Sequence, residues 1–421
     1  MKRLTLILLL CCLGLLAQDK VVRFEQFDTH IFDVFLSAND SVNVKARMIF
    51  NLPYKEVRII NGEEIIKAVN VVFENDSISF MMPVYESIVH AKLNRHTSIG
   101  DFSGYWMRYP EKGQQVMKFY ALNSWSVNYP PYLINDMIGA AATKENIMGR
   151  WQIIFNKGQK NEYPATGEFV QSENKISGTF ATESGDYRFL SGEISGNSFH
   201  LNCFDGAHVF RFTGKINGDQ ISNGNFWSGT KSHQTFEGWR DEYASLRDPF
   251  AIMKINSDSL SIDPVFRDKK GYDLRLNDVR FKDKMILIQI MGTWCPNCAD
   301  ESRLLNDLYV KYKEKGCEII GLAYERDDYN SSNPKLERYK NQLGLKYDVY
   351  YAGMYGTEDV SKDFPSLGGI HAFPTLLFLD QDHRLIKIHT GFYGPATREY
   401  AADKIEIENL VEQICEMIPK E

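Results

Sequence analysis

Cys295 and Cys298 are the residues best placed to do chemistry, because Trp294-Cys295-Pro296-Asn297-Cys298 sets two thiols one helical turn apart. They follow the apolar run Met285-Ile286-Leu287-Ile288-Gln289-Ile290-Met291, which reads as a strand. Beyond them Leu304, Leu305, Leu308 and Tyr312 make one apolar stripe and Pro296 suits a first turn, so a helix is expected to start at the pair. The free N–H groups and positive dipole end of a helix start favour an anion there. Thiols in such motifs drop from about 8.5 into the range of roughly 3.5 to 7.5, which makes Cys295 the expected nucleophile near neutral pH. Cys298, one turn in, is placed to attack the mixed disulfide that Cys295 forms. A C-x-x-C is also half of a zinc site or a structural bridge. Zinc wants a second Cys or His pair at short spacing, and the nearest candidates, Cys317 and His371, stand alone, so no metal is expected.

The elements that position this pair belong to a chain of 421 residues, more than one core usually organises, so two or three domains are expected. With 43% hydrophobic and 24% charged residues, wholesale disorder is excluded. A net charge of -7 without a basic stripe argues against nucleic acid as a partner. Met1-Lys2-Arg3, the apolar residues 4–16 and Ala17-Gln18-Asp19 form the pattern of a secretory signal over residues 1–17, too short for a comfortable membrane span. The mature chain is thus expected in the periplasm or cell envelope, without a transmembrane span. Cys11 and Cys12 fall in the signal core, and Leu10 stands where lipidation normally needs a small residue, so no lipid anchor is expected. The five remaining cysteines are not the even set of a disulfide scaffold. Cys317 opens an apolar strand and Cys415 shares a helical face with Ile407, Val411 and Ile414, so both read as small buried hydrophobes.

Residues 18–247 alternate with period two between turn residues, which predicts a β-rich antiparallel region. Tyr129-Pro130-Pro131-Tyr132 and a helical-looking stretch at 133–146 suggest two units with a break near 130–148. Ile176-Ser177-Gly178, Ile194-Ser195-Gly196, Ile216-Asn217-Gly218 and Ile221-Ser222-Asn223-Gly224 each set a turn cue beside strand residues, as hairpins of a meander would. Gly104-Tyr105-Trp106 and Gly149-Arg150-Trp151 are similar to the tripeptide that opens lipocalin barrels, but the tripeptide is short and the favoured reading is of core aromatics at strand starts. A barrel here could hold a ligand. Residues 250–421 change to alternating strands and helices: helices at 334–342, 361–367 and 404–418, strands at 318–324, 347–352, 375–379 and 384–390. That order predicts a mixed sheet flanked by helices.

Gly292-Thr293-Trp294-Cys295-Pro296-Asn297-Cys298, Glu301, His371-Ala372-Phe373-Pro374-Thr375 and Ile388-His389-Thr390-Gly391-Phe392 together resemble the thioredoxin-fold domain of the TlpA/ResA-like envelope thiol-disulfide oxidoreductases, over about residues 264–421. The resemblance implies a cis bond before Pro374, facing the dithiol, with Trp294, Phe373 and Pro374 bordering the substrate. An X-Pro bond tolerates cis at about 0.5–1 kcal/mol, and such a turn exposes the preceding backbone to an extended peptide. Thioredoxins proper carry a buried aspartate where this chain has Gln289, which cannot relay a proton. Glu301, one turn along the helix face from Cys298, is the expected substitute, although a glutamate early in a helix also serves as a dipole partner.

The expected function is therefore that of an exported reductant of envelope protein disulfides: Cys295 attacks, Cys298 resolves and Glu301 handles the proton. It would use no cofactor beyond its own dithiol and would draw electrons from a membrane thiol donor. The alternatives are a disulfide oxidase or isomerase, separable by reduction potential, and a ligand- or partner-binding β module with an accessory redox domain. Peroxidase chemistry fits poorly, as no Pro-x-x-x-Thr-x-x-Cys segment is present.

Overall fold

The computed structural model describes residues 30–416 except 40–41, 95–99, 109–114, 124–144, 256–261, 357–359, 361 and 368. The expected signal segment with Cys11 and Cys12, the Tyr129–Tyr132 motif and nearly all of the stretch at 133–146 lie outside the described residues. Among those described, no helix is long and apolar enough to cross a membrane.

Two antiparallel nine-stranded sheets come first. In the earlier one, His30–Ser37 through Gln115–Asn123, the last strand pairs with the first, so the meander curls round and stays open between Glu64–Lys67 and Val69–Glu74. Alternation turns Val44, Ala46, Met48 and Phe50 inward, against Phe32, Phe80, Phe102 and Trp106. In the later sheet, Gly149–Phe155 pairs with both Tyr163–Ser172 and Ser232–Arg240, and Tyr163–Ser172 with Lys175–Thr182, which closes a barrel of eight strands, the two-residue Gly185–Asp186 being added on Lys175–Thr182. Phe155, Phe180, Phe212, Phe226 and Phe236 fill its interior, with the Phe212 and Phe226 rings stacked at 4.2 Å. The space expected for a ligand is therefore taken by rings, and Trp106 and Trp151 are both fully buried core aromatics. The four Ile-led turn cues divide. Gly218 sits at φ 59° in a hairpin turn with open space beside it, whereas a Cβ on Gly178 would lie 1.9 Å from the Glu168 carbonyl and 2.8 Å from the Phe169 ring. Gly178 is thus an in-strand glycine that makes room for an aromatic core.

The C-terminal half is built on a seven-stranded mixed sheet with Met285–Met291 well inside it. That strand runs parallel to Cys317–Glu325, which is parallel to Asp348–Met354, and antiparallel to Thr375–Leu379, beyond which lies Leu385–Thr390. It is buried on both faces. Met285, Leu287 and Met291 meet the helices Pro296–Tyr312 and Tyr400–Glu416 through Leu304, Leu308, Ile407 and Val411, while Ile286, Ile288 and Ile290 pack on Phe364 and Leu377. The order is the one the resemblance implies, with two short strands, Phe266–Arg267 and Asp273–Leu274, added at one edge.

Three helices differ in extent from expectation. The helix expected from residue 334 starts at Tyr329, because Asp328 caps it by accepting the Ser331 N–H, and Pro334 lies inside it. The last helix begins at Tyr400, a turn before residue 404. The expected helix at 361–367 is α-helical at 360 and 362–363 and ends in a 3-10 turn over Pro365–Leu367.

Candidate active site

The buried strand Met285–Met291 ends at Gly292, where a Cβ would lie 2.2 Å from the Trp294 indole nitrogen, and the chain turns there into the helix. Cys295 is its N-cap, in extended conformation, and its sulfur accepts the Cys298 N–H at 3.3 Å. Pro296 fills the first turn without wasting a donor. The Cys295 thiol also donates to the Phe373 carbonyl at 3.5 Å, and the Phe373–Pro374 bond is cis. Trp294 donates to the Tyr324 carbonyl at 3.0 Å and packs its ring against Tyr355 and Phe373, under the Arg326 guanidinium. Cys295, Cys298, Trp294, Phe373 and Pro374 therefore surround one point. Cys298 is wholly buried, and burial, the hydrogen bond with Cys295 and the nearby Glu301 carboxyl push its thiol well above the ordinary range.

Glu301 lies behind the pair in a buried polar cluster centred on Gln289. The Gln289 amide donates to the Cys298 carbonyl at 3.0 Å and to Glu301 Oε2 at 2.9 Å, while its own oxygen accepts from Ser302 at 2.9 Å and from Tyr347 at 3.3 Å. Glu301 Oε1 has no hydrogen-bond partner among the described residues. Burial raises the carboxyl to about 8, the Asp403 charge adds to this and the Gln289 hydrogen bond opposes it. Glu301 is thus an acid that holds its proton at neutral pH and can exchange it within the physiological range.

Sequence reasoning missed Glu325. It ends the strand Cys317–Glu325, is 3% exposed, and accepts from the Thr293 N–H at 2.7 Å and hydroxyl at 2.9 Å, so it anchors the turn that carries Trp294 and Cys295. Burial lifts it to about 7 against those hydrogen bonds and the nearby Lys335 charge. The available signal was an acidic residue closing an otherwise apolar strand. Among the described residues, no group of three or more His, Cys, Asp or Glu side chains could hold a metal ion.

The N-terminal sheets also reach the site, which no spacing in the sequence suggests. Val84 and Tyr85 pack into the core cluster that contains Cys295 and Cys298, and the Val84 N–H donates to Gln342. Arg108 donates to the Trp294 carbonyl at 3.3 Å. From the barrel, the Asp186 carbonyl accepts from Asn297 at 3.4 Å, its carboxylate accepts the Gly394 N–H at 2.9 Å, and Arg188 pairs with Asp300 on the dithiol helix and with Glu64 at 2.6 Å. Cys295 is consequently only 6% exposed.

A model described as the AhpC/TSA family matches residues 259–388, which hold the dithiol, Glu301 and Pro374. Thiol-disulfide oxidoreductase ResA of Bacillus thuringiensis (strain Al Hakam) is 32% identical over 135 residues, covering 32% of this chain and 68% of that protein. ResA of Geobacillus kaustophilus (strain HTA426) is 29% identical over the same shares. A solved structure, the thiol:disulfide interchange protein, thioredoxin family protein from Chlorobium tepidum TLS, is 18% identical over 38% of this chain and 99% of that chain, with a TM-score of 0.29. On its redox motif, its sheet order and the ResA relatives, the chain belongs to the ResA-like thiol-disulfide oxidoreductases, and it is an oxidoreductase with a thioredoxin-fold C-terminal domain.

Proposed function

We propose that this protein is an exported reductant of envelope protein disulfides. The Cys295 sulfur attacks one sulfur of the partner's disulfide and releases the other as a thiol. Cys298 gives up its proton and displaces the partner's remaining sulfur, which leaves Cys295–Cys298 as a disulfide and transfers two electrons to the partner. Glu301 exchanges the proton of the second step. The observation that carries this reading is the asymmetry of the pair: Cys295 caps the helix, whereas Cys298 is sealed beside an acid raised to about 8. Trp294, Phe373 and Pro374 border the substrate, and the proposed domains are a signal over 1–17, a β-rich region over 18–247 and a redox domain over 250–421. Regeneration requires a thiol donor, for which a membrane protein is proposed.

Trapping tests the assignment. Cys298→Ser is expected to hold mixed disulfides with client proteins and Cys295→Ser to hold few, so equal trapping would overturn it. The redox midpoint tests the direction, since a value near or below about -270 mV supports a reductant and one near about -120 mV an oxidase.

A further inference from the structure

Cys317 and Cys415 meet. Cys317 opens its strand as the parallel-ladder partner of Met285, and Cys415 lies in the last turn of Tyr400–Glu416 with its sulfur 3.8 Å from the Met285 thioether. Both thiols thus adjoin Met285 in one core cluster, at 1% and 8% exposure, close enough for each to shift the other. They are 98 positions apart in the chain (415 minus 317), so the contact is purely a product of the fold. The seven-residue strand Met285–Met291 separates this end of the sheet from the active-site dithiol by about 20 Å, too far for direct exchange between the pairs.

We propose that Cys317 and Cys415 are a second redox couple of this protein, closing to a disulfide that ties the start of a central strand to the last helix. Side-chain contact is the geometric requirement for such a bond, which spans Cα atoms about 4.4–6.8 Å apart. The oxidant is an external disulfide, low-molecular-weight or protein-borne. Cys415, the more exposed, attacks it and releases one thiol; Cys317 then loses its proton and attacks the Cys415 sulfur, releasing the second thiol. Two electrons and two protons leave the pair. The interaction between the two thiols lowers Cys415 and raises Cys317, which suits that order of attack. The bond would also fix the helix that carries Asp403, the residue whose charge reaches Glu301. This couple is independent of the direction in which the active-site dithiol works.

The test equilibrates the whole protein with mixtures of reduced and oxidised glutathione, quenches with acid, alkylates in denaturant and reads each cysteine by peptide mass. Cys317 and Cys415 are expected to lose alkylation together and appear as one linked peptide, with a midpoint separate from that of Cys295 and Cys298, while Cys203, alone in the barrel core, stays alkylated throughout. Because burial can slow oxidation, the measurement is repeated after unfolding in urea and refolding in oxidised glutathione. Full alkylation of both cysteines in the refolded protein, or Cys415 carrying glutathione while Cys317 stays free, overturns the proposal. In Cys317→Ser, Cys415 is expected to take glutathione as an adduct, and its failure to react in the refolded variant also counts against the couple.

Discussion

Glu301→Gln should change how stability depends on pH, in a way that a helix-end glutamate would not. The carboxyl ionises near 4.5 in an unfolded chain and at about 8 in the fold, chiefly because it is fully buried. Its folded-state value is raised, so its contribution to stability is complete below about pH 4.5 and is lost as pH rises towards 8, where unfolding releases a proton that the native state retains. At about 1.4 kcal/mol per pH unit, the loss reaches about 3 kcal/mol by pH 7 and about 5 kcal/mol at its plateau. Glutamine cannot ionise and so removes that slope. Its amide oxygen can still accept from Gln289, and an unpaired NH2 where Oε1 now lies adds a fixed cost of roughly 1–3 kcal/mol that moves the whole curve without tilting it. Urea unfolding of reduced wild type and variant from pH 5 to 9 should give a stability difference that shifts in favour of the variant by about 1.4 kcal/mol per unit up to pH 8 and then flattens. A difference that stays level from pH 5 to 8 would refute the buried neutral acid and, with it, the proton role assigned to Glu301.

Arg188→Ala should leave Asp300, Glu64 and Asp205 without their shared cation, costing roughly 3–5 kcal/mol and speeding alkylation of Cys295; an unchanged alkylation rate in folded variant would mean that this contact does not hold the cover over the dithiol. Gly178→Ala should destabilise the barrel by at least the roughly 1–3 kcal/mol of an overpacked core, and by more than Gly218→Ala, whose left-handed turn costs about 1–2 kcal/mol. Thermal melts that rank the two glycine variants the other way would contradict the close approach at Glu168.

What could be read from the sequence was what neighbours along the chain decide. Cys295, Pro296, Cys298 and Glu301 share two turns of one helix, so their spacing alone fixes their faces, and the apolar strand before them could only be buried. Strand alternation in the first half was equally local. The closed barrel was not legible, because closure depends on Gly149–Phe155 meeting Ser232–Arg240 some eighty positions later, and Gly178 looked like a turn glycine until the Phe169 ring was placed beside it. Pro334 misplaced a helix start because a proline is a strong local cue, and the stronger one, the Asp328 cap, stood six residues earlier. Arg188 and the Cys317–Cys415 proximity owe everything to tertiary neighbours, and Glu325 showed only as an acid at a strand end until Thr293 was placed against it.

Gln289 shows why the proton-holding group stands where it does. The position lies inside a strand buried on both faces, between the Cys298 carbonyl and the Glu301 carboxyl. An aspartate there would put a second acid beside Glu301, and two neighbouring carboxyls in a low-dielectric site cannot both ionise, so one would remain protonated far above neutrality. An amide avoids that conflict. It donates to both oxygens, and it accepts from Ser302, whose hydroxyl is also hydrogen-bonded to Tyr339, and from Tyr347, so the cluster holds its shape in either protonation state of Glu301. The acid moves to the helix, one turn from Cys298, and keeps one oxygen unpartnered. Because the Gln289 hydrogen bond lowers Glu301 while burial raises it, the amide brings the acid down to about 8, where a proton can still leave. Replacing Gln289 by leucine would remove that restraint and push Glu301 higher, so the pH at which Cys298 resolves a mixed disulfide should rise with it. Stopped-flow resolution rates across pH 6 to 10 measure this, and a profile identical to wild type would mean that Gln289 only fills the core.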